Sequence, residues 1–167
     1  MVVLGWAVGH GSTPLDDWFQ RARGGILGWL LFFTDYRVVA VLLLAALAAA
    51  LYRRQWTLVA VLVVAPVLAV WIARLCKHWF GRWKEGAVSY PSGHTTLMVV
   101  VLGMVVLAAG AQLWVVAASI GFGLLGMLGQ AVTYHYFTDT VGGLLLGTSV
   151  VCAAAAIVQW ERRRTST

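Results

Sequence analysis

The stretch TLVAVLVVAPVLAVWIARLCKHWF occupies residues 57–80, and no charged side chain occurs in it before Arg74. A helix of about 20 mainly apolar residues crosses the hydrocarbon core of a bilayer, so this stretch is long enough. Pro66 does not argue against that assignment, because kinked helices are tolerated inside membranes. Residues 57–80 therefore predict a membrane-spanning helix whose last turns carry cations.

Similar apolar stretches lie on both sides of this helix. The chain of 167 residues is 61% hydrophobic and only 11% charged, whereas soluble domains carry about 25% charged residues. This composition excludes a water-soluble protein. The sequence predicts an all-α fold, a single domain over residues 1–167 that forms a polytopic membrane helical bundle at 37–160. About five transmembrane helices are expected, and the other four cover residues 37–52, 93–110, 113–134 and 138–160.

The two ends of the chain differ from this bundle. Pro14, Asp16 and Asp17 suit the first turn of a helix, because proline needs no amide partner there and carboxylates favour the positive helix end. The apolar run that follows is too short to cross a bilayer. Residues 14–33 are therefore predicted to form an N-terminal interfacial helix, and residues 161–167 a basic tail.

Basic residues indicate the orientation of the bundle. With five crossings, the Arg53-Arg54 turn and the tail containing Arg162 lie on one side, and positive flanks favour the cytoplasm. The loop at 81–92 and the turn at 134–138 then share the extracytoplasmic face of the plasma (inner) membrane. The net charge of +6 is not arranged as a basic stripe with interleaved aromatic residues, which argues against nucleic acid as a partner.

Ionisable side chains inside membrane segments are costly, so each one is a candidate functional residue. His94 and His135 have 40 residues between them, enough for one crossing out and one back with a short turn. Both histidines should therefore reach the same membrane face. The loop with Arg82 and Lys84 lies at that face, and Lys77 ends the helix that precedes it.

The segment Tyr90-Pro91-Ser92-Gly93-His94 directly precedes an apolar helix. Ser92 can cap this helix. Free amides of Ser92, Gly93 and His94 would point out of its end, where unpaired donors and the helix dipole favour a phosphate. Gly93 lets the backbone come close to the anion. The alternative is an ordinary turn before a helix.

His135 and Asp139 are four residues apart and so share a helix face. We expect Asp139 to accept a hydrogen bond from the Nδ1–H of His135, which leaves Nε2 as a free lone pair for nucleophilic attack. The alternatives are a surface ion pair and a metal pair, but two ligands are few and nearby cations repel a metal ion. Neither a metal nor a cofactor is expected. The alternative for the nearby cations is snorkelling to lipid headgroups, the preferred interpretation for Arg74.

These residues resemble the type 2 phosphatidic acid phosphatase family, the membrane relatives of the vanadium haloperoxidases. The family pattern is Lys-x6-Arg-Pro, then Pro-Ser-Gly-His, then Ser-Arg-x5-His-x3-Asp. Residues 91–94 match the second motif in full. His135 and Asp139, followed by Gly142 and Gly143, match the end of the third motif.

The chain departs from this pattern in two places. Lys84 stands where the first motif has arginine, Glu85 replaces the proline, and the adjoining Arg82 is expected to share the phosphate. Gly129 stands where the third motif has arginine, so one phosphate-binding guanidinium is absent. Gln130 is the neutral candidate to replace it.

The resemblance implies a metal-independent hydrolase that acts on a lipid phosphate in the bilayer. His135 would attack phosphorus to form a phosphohistidine, Asp139 would orient it, and His94 would protonate the leaving oxygen. The phosphate would be bound by Lys77, Lys84, Arg82, Ser92 and Gly93.

Among the substrates of such a family, we favour a polyprenyl phosphate or diphosphate, or a polyprenyl-linked sugar phosphate. Phosphatidic acid or phosphatidylglycerophosphate is the alternative. The absent arginine motivates a different class, a degenerate protein that binds lipid phosphate without turnover. A small transporter that uses the polar cluster as its substrate site is a third hypothesis.

Overall fold

The structure, a computed structural model, describes residues 1–165 and consists of helices and one short hairpin. Two strands, β1 (Trp83–Lys84) and β2 (Ala87–Val88), pair antiparallel between the fourth and fifth α-helices. The predicted all-α membrane bundle is confirmed. The helices are α1 Val2–Val8, α2 Pro14–Gln20, a 3-10 helix Ile26–Thr34, α3 Tyr36–Tyr52, α4 Trp56–Phe80, α5 Gly93–Ala108, α6 Leu113–Ala131 and α7 Phe137–Thr165.

Among the described residues, four segments are long and apolar enough to cross a membrane, so the chain is an integral membrane protein. They are Ile26–Tyr52, Trp56–Phe80, Leu113–Ala131 and Phe137–Arg164. The remaining predicted crossing is α5, which is apolar but has only 16 residues. At 1.5 Å per residue it is about 24 Å long, shorter than the hydrocarbon core of about 30 Å. Its Val100, Val101 and Met104 are fully buried by neighbouring helices.

The N-terminal region differs from the single interfacial helix predicted for residues 14–33. Helix α2 begins with a capping box between Thr13 and Asp16 but has only seven residues. Gly24 then adopts a φ of 80°, a left-handed conformation that a helix does not continue through. The apolar residues that follow form the 3-10 helix, which packs against α6 and belongs to the first membrane-spanning segment.

Helix α7 lies against α5 because it presents glycines to it. A Cβ atom at Gly143 would lie 2.6 Å from the carbonyl oxygen of Ser92, and one at Gly147 would lie 2.8 Å from the Cβ of Val99. A Cβ at Gly142 would lie 2.4 Å from the Tyr90 ring. Contacts this close leave no space for side chains. The first turns of α5 and α7 are therefore held beside each other.

The basic turn after α3 and the basic end of α7 lie at the same end of the bundle, as the helix count predicts. Arg54 and Arg162 line one pocket there, and the guanidinium of Arg53 donates to the carbonyl of Ala108 at the end of α5. The tail predicted for 161–167 continues α7 to Thr165. Residues 166 and 167 lie outside the described part of the chain. The assignment of this end to the cytoplasm stays a prediction.

Candidate active site

The two histidines predicted to meet line one pocket at the opposite end of the bundle. The centroids of the His94 and His135 rings are 6.3 Å apart. The pocket has a volume of about 370 Å³ and is lined further by Arg74, Lys77 and Gly93, with apolar side chains of α4 and α5 below them. Two imidazoles, two cations and a helix start therefore surround one cavity.

Asp139 lies beside His135, but the predicted hydrogen bond is not formed. The Nδ1 of His135 is 3.6 Å from an oxygen of the Asp139 carboxylate, which is longer than a hydrogen bond. This Nδ1 has no hydrogen-bond partner among the described residues. The carboxylate accepts instead from the amide of Tyr136 at 3.1 Å and from Arg82 at 2.8 Å. Asp139 therefore acts on His135 through its nearby charge in this conformation.

The surroundings of His135 favour its neutral form. Burial lowers the pKa of the imidazole below the usual 6.5, and the carboxylate of Asp139 opposes that effect without reversing it. Lys77 and Lys84 act in the same direction as burial, because positive charges disfavour protonation. At neutral pH His135 thus carries a lone pair on one ring nitrogen, as a nucleophile requires.

The start of α5 offers two of the three predicted backbone donors. The amide of Ser92 donates to the carbonyl oxygen of Asp139 at 2.9 Å, and its hydroxyl accepts from the amide of Thr95 as the N-cap. Ser92 is buried, and because its amide is bonded to α7 it offers no free backbone donor to the pocket. The amides of Gly93 and His94 have no acceptor among the described residues.

Gly93 leaves the space in front of these amides open. A Cβ atom placed on it would have no heavy atom within 4 Å, and the residue lines the pocket. A helix start with unpaired amides favours an anion. This end of α5 can therefore approach an oxyanion in the cavity without hindrance.

The two predicted lysines have different surroundings. Lys77 lines the pocket and donates one hydrogen bond, to the carbonyl of Val88 at 3.0 Å. Lys84 is buried, donates to the side-chain oxygen of Gln20 at 3.0 Å and lies 4.9 Å from the centre of the Tyr136 ring. Burial lowers the pKa of Lys84. Only Lys77 therefore reaches the cavity wall, while Lys84 influences the site from a distance.

Arg82 does not contact the pocket, contrary to the prediction that it shares the phosphate. Its side chain is completely buried, and all five of its N–H donors have acceptors in the protein. They bond the carbonyl of Gly11, the hydroxyl of Thr138 and the carboxylates of Asp16 and Asp139. Arg82 thus joins the N-terminal region to the carboxylate beside His135.

Sequence reasoning missed the part that α2 plays in this arrangement. Asp16 is fully buried and accepts from the amide of Thr138 at 2.9 Å. Burial alone would raise the pKa of Asp16, but hydrogen bonds from Thr138, Thr13 and Arg82 together lower it. Gln20 donates to the carbonyl of His135 at 3.0 Å. The signal in the sequence was an aspartate at the third helical position, which predicts a cap and not a buried partner.

Gln130 does not replace the absent arginine. Its side chain is buried and donates to the hydroxyl of Thr34 at 2.7 Å, outside the pocket. A Cβ atom at Gly129 would lie 2.5 Å from the carbonyl carbon of Leu30. The 3-10 helix therefore occupies the space that any side chain at position 129 would need.

The fold is a helical membrane bundle in which two imidazoles, two cationic side chains and the start of α5 line one pocket. The family model of the PAP2 superfamily matches residues 77–163, just over half of the chain. The chain belongs to this superfamily, and membership implies a hydrolase that acts on phosphate esters. A search of curated proteins gave no significant match, and neither did a search of solved structures.

Proposed function

We propose that the protein is a metal-independent lipid phosphatase that works through a phosphohistidine on His135. The observation that carries this proposal is the 6.3 Å separation of the His94 and His135 rings across one pocket. One imidazole can attack phosphorus at about 3 to 3.5 Å while the other reaches the leaving oxygen at about 2.6 to 3.2 Å. Two imidazoles on one phosphoryl group supply both a nucleophile and an acid.

The reaction proceeds in two displacements at phosphorus. In the first, the lone pair of His135 forms a P–N bond, the P–O bond to the lipid breaks, and His94 donates a proton to the leaving oxygen. In the second, His94 takes a proton from water, the oxygen of that water attacks phosphorus, and the P–N bond breaks. Inorganic phosphate leaves, and both imidazoles return to their starting state.

Backbone and side-chain donors stabilise the charge on the phosphoryl oxygens. The unpaired amides of Gly93 and His94 face the cavity at the positive end of α5. Lys77 lines the same cavity and has two N–H donors beyond its bond to Val88. Fixed donors of this kind act most strongly in a site that excludes water. Cationic side chains thus take the part that a metal ion plays in other phosphatases.

The shape of the pocket supports an amphiphilic substrate. Its polar groups lie at one end, whereas Val70 and Ala73 of the membrane-spanning α4 and Leu97 of the apolar α5 line the rest of it. An isoprenoid or acyl chain would pack on these residues while the phosphate reaches the histidines. The proposed substrate is a polyprenyl phosphate, diphosphate or linked sugar phosphate on the extracytoplasmic side of the plasma membrane. Phosphatidic acid or phosphatidylglycerophosphate is the alternative.

Phosphate release by the purified full chain tests this proposal. The protein in detergent or nanodiscs is assayed with EDTA against polyprenyl phosphate, polyprenyl diphosphate, phosphatidic acid and phosphatidylglycerophosphate. We expect release from at least one lipid, unaffected by EDTA and lost in His135→Ala. A ³²P-labelled substrate should leave acid-labile label on the wild type and on His94→Ala, because only the nucleophile forms the bond. Equal release by wild type and His135→Ala would disprove the mechanism.

One observation favours a second candidate, a protein that binds lipid phosphate without hydrolysing it. The Nδ1 of His135 is 3.6 Å from the carboxylate of Asp139, so the imidazole is not held by a hydrogen bond. This candidate predicts saturable binding of a lipid phosphate, weakened by His94→Ala, with no release of phosphate above that of His135→Ala. The same lipid panel therefore separates the two functions.

A further inference from the structure

Arg74 lines the pocket with the two histidines, although it lies in a membrane-spanning helix. It is three residues before Lys77 on α4, and both side chains face the same cavity. Among the described residues it has no hydrogen-bond or ion-pair partner. A charged side chain within a membrane-spanning helix is costly and by default functional. Its five N–H donors are therefore available to whatever occupies the pocket.

The other cations at this end of the bundle are already engaged. Arg82 uses all five donors on protein oxygens, and Lys84 is buried against Gln20. Position 129 cannot hold a side chain, because the backbone at Leu30 lies 2.5 Å from where its Cβ would be. Arg74 thus carries the one guanidinium that lines the described pocket.

Snorkelling to lipid headgroups explains Arg74 less well than binding in the pocket does. Helix α4 continues for six residues beyond it, to Phe80, which is about 9 Å of further helix. Lys77, nearer to that end, faces the same pocket. A guanidinium also matches the oxygens of a phosphate with two parallel hydrogen bonds, which an ammonium cannot do.

We propose that Arg74 binds the phosphate of the substrate and is the arginine on which this pocket depends. The inference rests on the proposed function for its kinetic consequence, but phosphate binding by Arg74 is testable without turnover. The guanidinium contacts phosphoryl oxygens from the α4 side, opposite the amides of Gly93 and His94. Removing one such donor group lowers turnover by about 100-fold or more in comparable sites.

Substitution of Arg74 with a matched arginine control tests this assignment. The variants are Arg74→Gln, Arg74→Ala, Arg74→Lys and Arg37→Gln. Arg37, like Arg74, is an exposed arginine of a membrane-spanning segment, but it lies outside the pocket. We expect kcat/KM to fall about 100-fold in Arg74→Gln and less in Arg74→Lys, and to stay within about twofold in Arg37→Gln. Guanidinium ion at millimolar concentration should restore part of the activity of Arg74→Ala but none of His135→Ala.

Binding of inorganic vanadate provides a readout that does not require hydrolysis. Wild type and Arg37→Gln should bind vanadate alike, and Arg74→Gln should bind it at least tenfold more weakly. If the wild type hydrolyses no lipid but binds vanadate in an Arg74-dependent way, the proposed function fails and this inference stands. If the wild type hydrolyses lipid and Arg74→Gln matches Arg37→Gln in rate and vanadate affinity, Arg74 merely reaches the headgroups and the inference is overturned.

Discussion

Replacement of Arg82 by glutamine should destabilise the protein far more than any surface charge change at the same end of the bundle. Arg82 pairs at 2.7 and 2.8 Å with Asp16 and Asp139, and all three side chains are 0% exposed. The variant leaves two buried carboxylates without a cation. Removing one partner of a buried ion pair costs about 3 to 5 kcal/mol, so we expect a loss of that size in the free energy of unfolding.

Arg23→Gln is the matched control for this experiment. Arg23 pairs with Glu85 near the same site, but both side chains are about half exposed. Exposed pairs contribute about 0 to 1 kcal/mol, because water and salt screen them. Arg82→Lys keeps the positive charge with three donors in place of five, so its stability should fall between the wild type and Arg82→Gln.

Reversible unfolding by urea or by sodium dodecyl sulfate in mixed micelles, followed by tryptophan fluorescence, measures these differences. Phosphate release should fall in the same order, because the carboxylate beside His135 loses its anchor. If Arg82→Gln unfolds within 1 kcal/mol of Arg23→Gln, the buried network does not support the fold and the reasoning is wrong.

Four further predictions concern the pocket wall, the contact between α5 and α7, and the protonation of His135. Gly93→Ala places a methyl group in open space, so the unfolding midpoint should stay unchanged while phosphate release falls at least tenfold; unchanged release would show that the phosphate lies elsewhere. Gly143→Ala brings a Cβ to 2.6 Å from the carbonyl of Ser92 and should cost about 1 to 3 kcal/mol of unfolding free energy, together with activity. Burial lowers the pKa of His135. On acidification, kcat/KM should therefore begin to fall only below pH 6.5, where His135 becomes protonated; this fall is the acid limb of the pH profile. Asp139→Asn removes the charge that opposes this lowering, so that acid limb should move to still lower pH, and a shift to higher pH would contradict the assignment.

The position of both histidines at one end of the bundle was predictable, because it follows from hydropathy and from the length of chain between them. Two helices and a short turn fill the interval between His94 and His135, and both elements form as expected, as α5 and α6. Hydropathy predicted the helices, and the number of crossings between the two histidines predicted that both lie on the same side of the membrane. Lys77 was predictable for the same reason, since it lies in the last turn of α4.

The partners of Arg82 were not predictable from local sequence. Asp16 lies 66 residues away and Asp139 lies 57 residues away, and no periodicity connects either carboxylate to Arg82. The role of Ser92 was missed for a related reason. Its amide bonds a carbonyl of α7, a contact that depends on how closely Gly142 and Gly143 let the two helices approach.

The direction in which the Arg74 side chain points could also not be predicted from the sequence. A cation near the end of a membrane helix predicts snorkelling from sequence, and only the packing of α4 beside α5 shows that the side chain lines a cavity. The 3-10 helix could likewise not be predicted from the sequence, because an apolar run of that length is as compatible with a segment at the membrane interface as with one packed against other helices. Its contact with Gly129 is what leaves that position without a side chain.

The buried link between Asp16 and Arg82 means that the working unit is larger than the region that carries the motifs. The superfamily match begins at residue 77, whereas Asp16 accepts from Thr138 at the start of α7 and Gln20 donates to the carbonyl of His135. A variant with an unrelated segment in place of residues 1–20 would keep every reacting group but lose the hydrogen bonds that Asp16 and Gln20 make. Transplanting this chemistry into another scaffold therefore means transferring residues 1–20 together with the bundle.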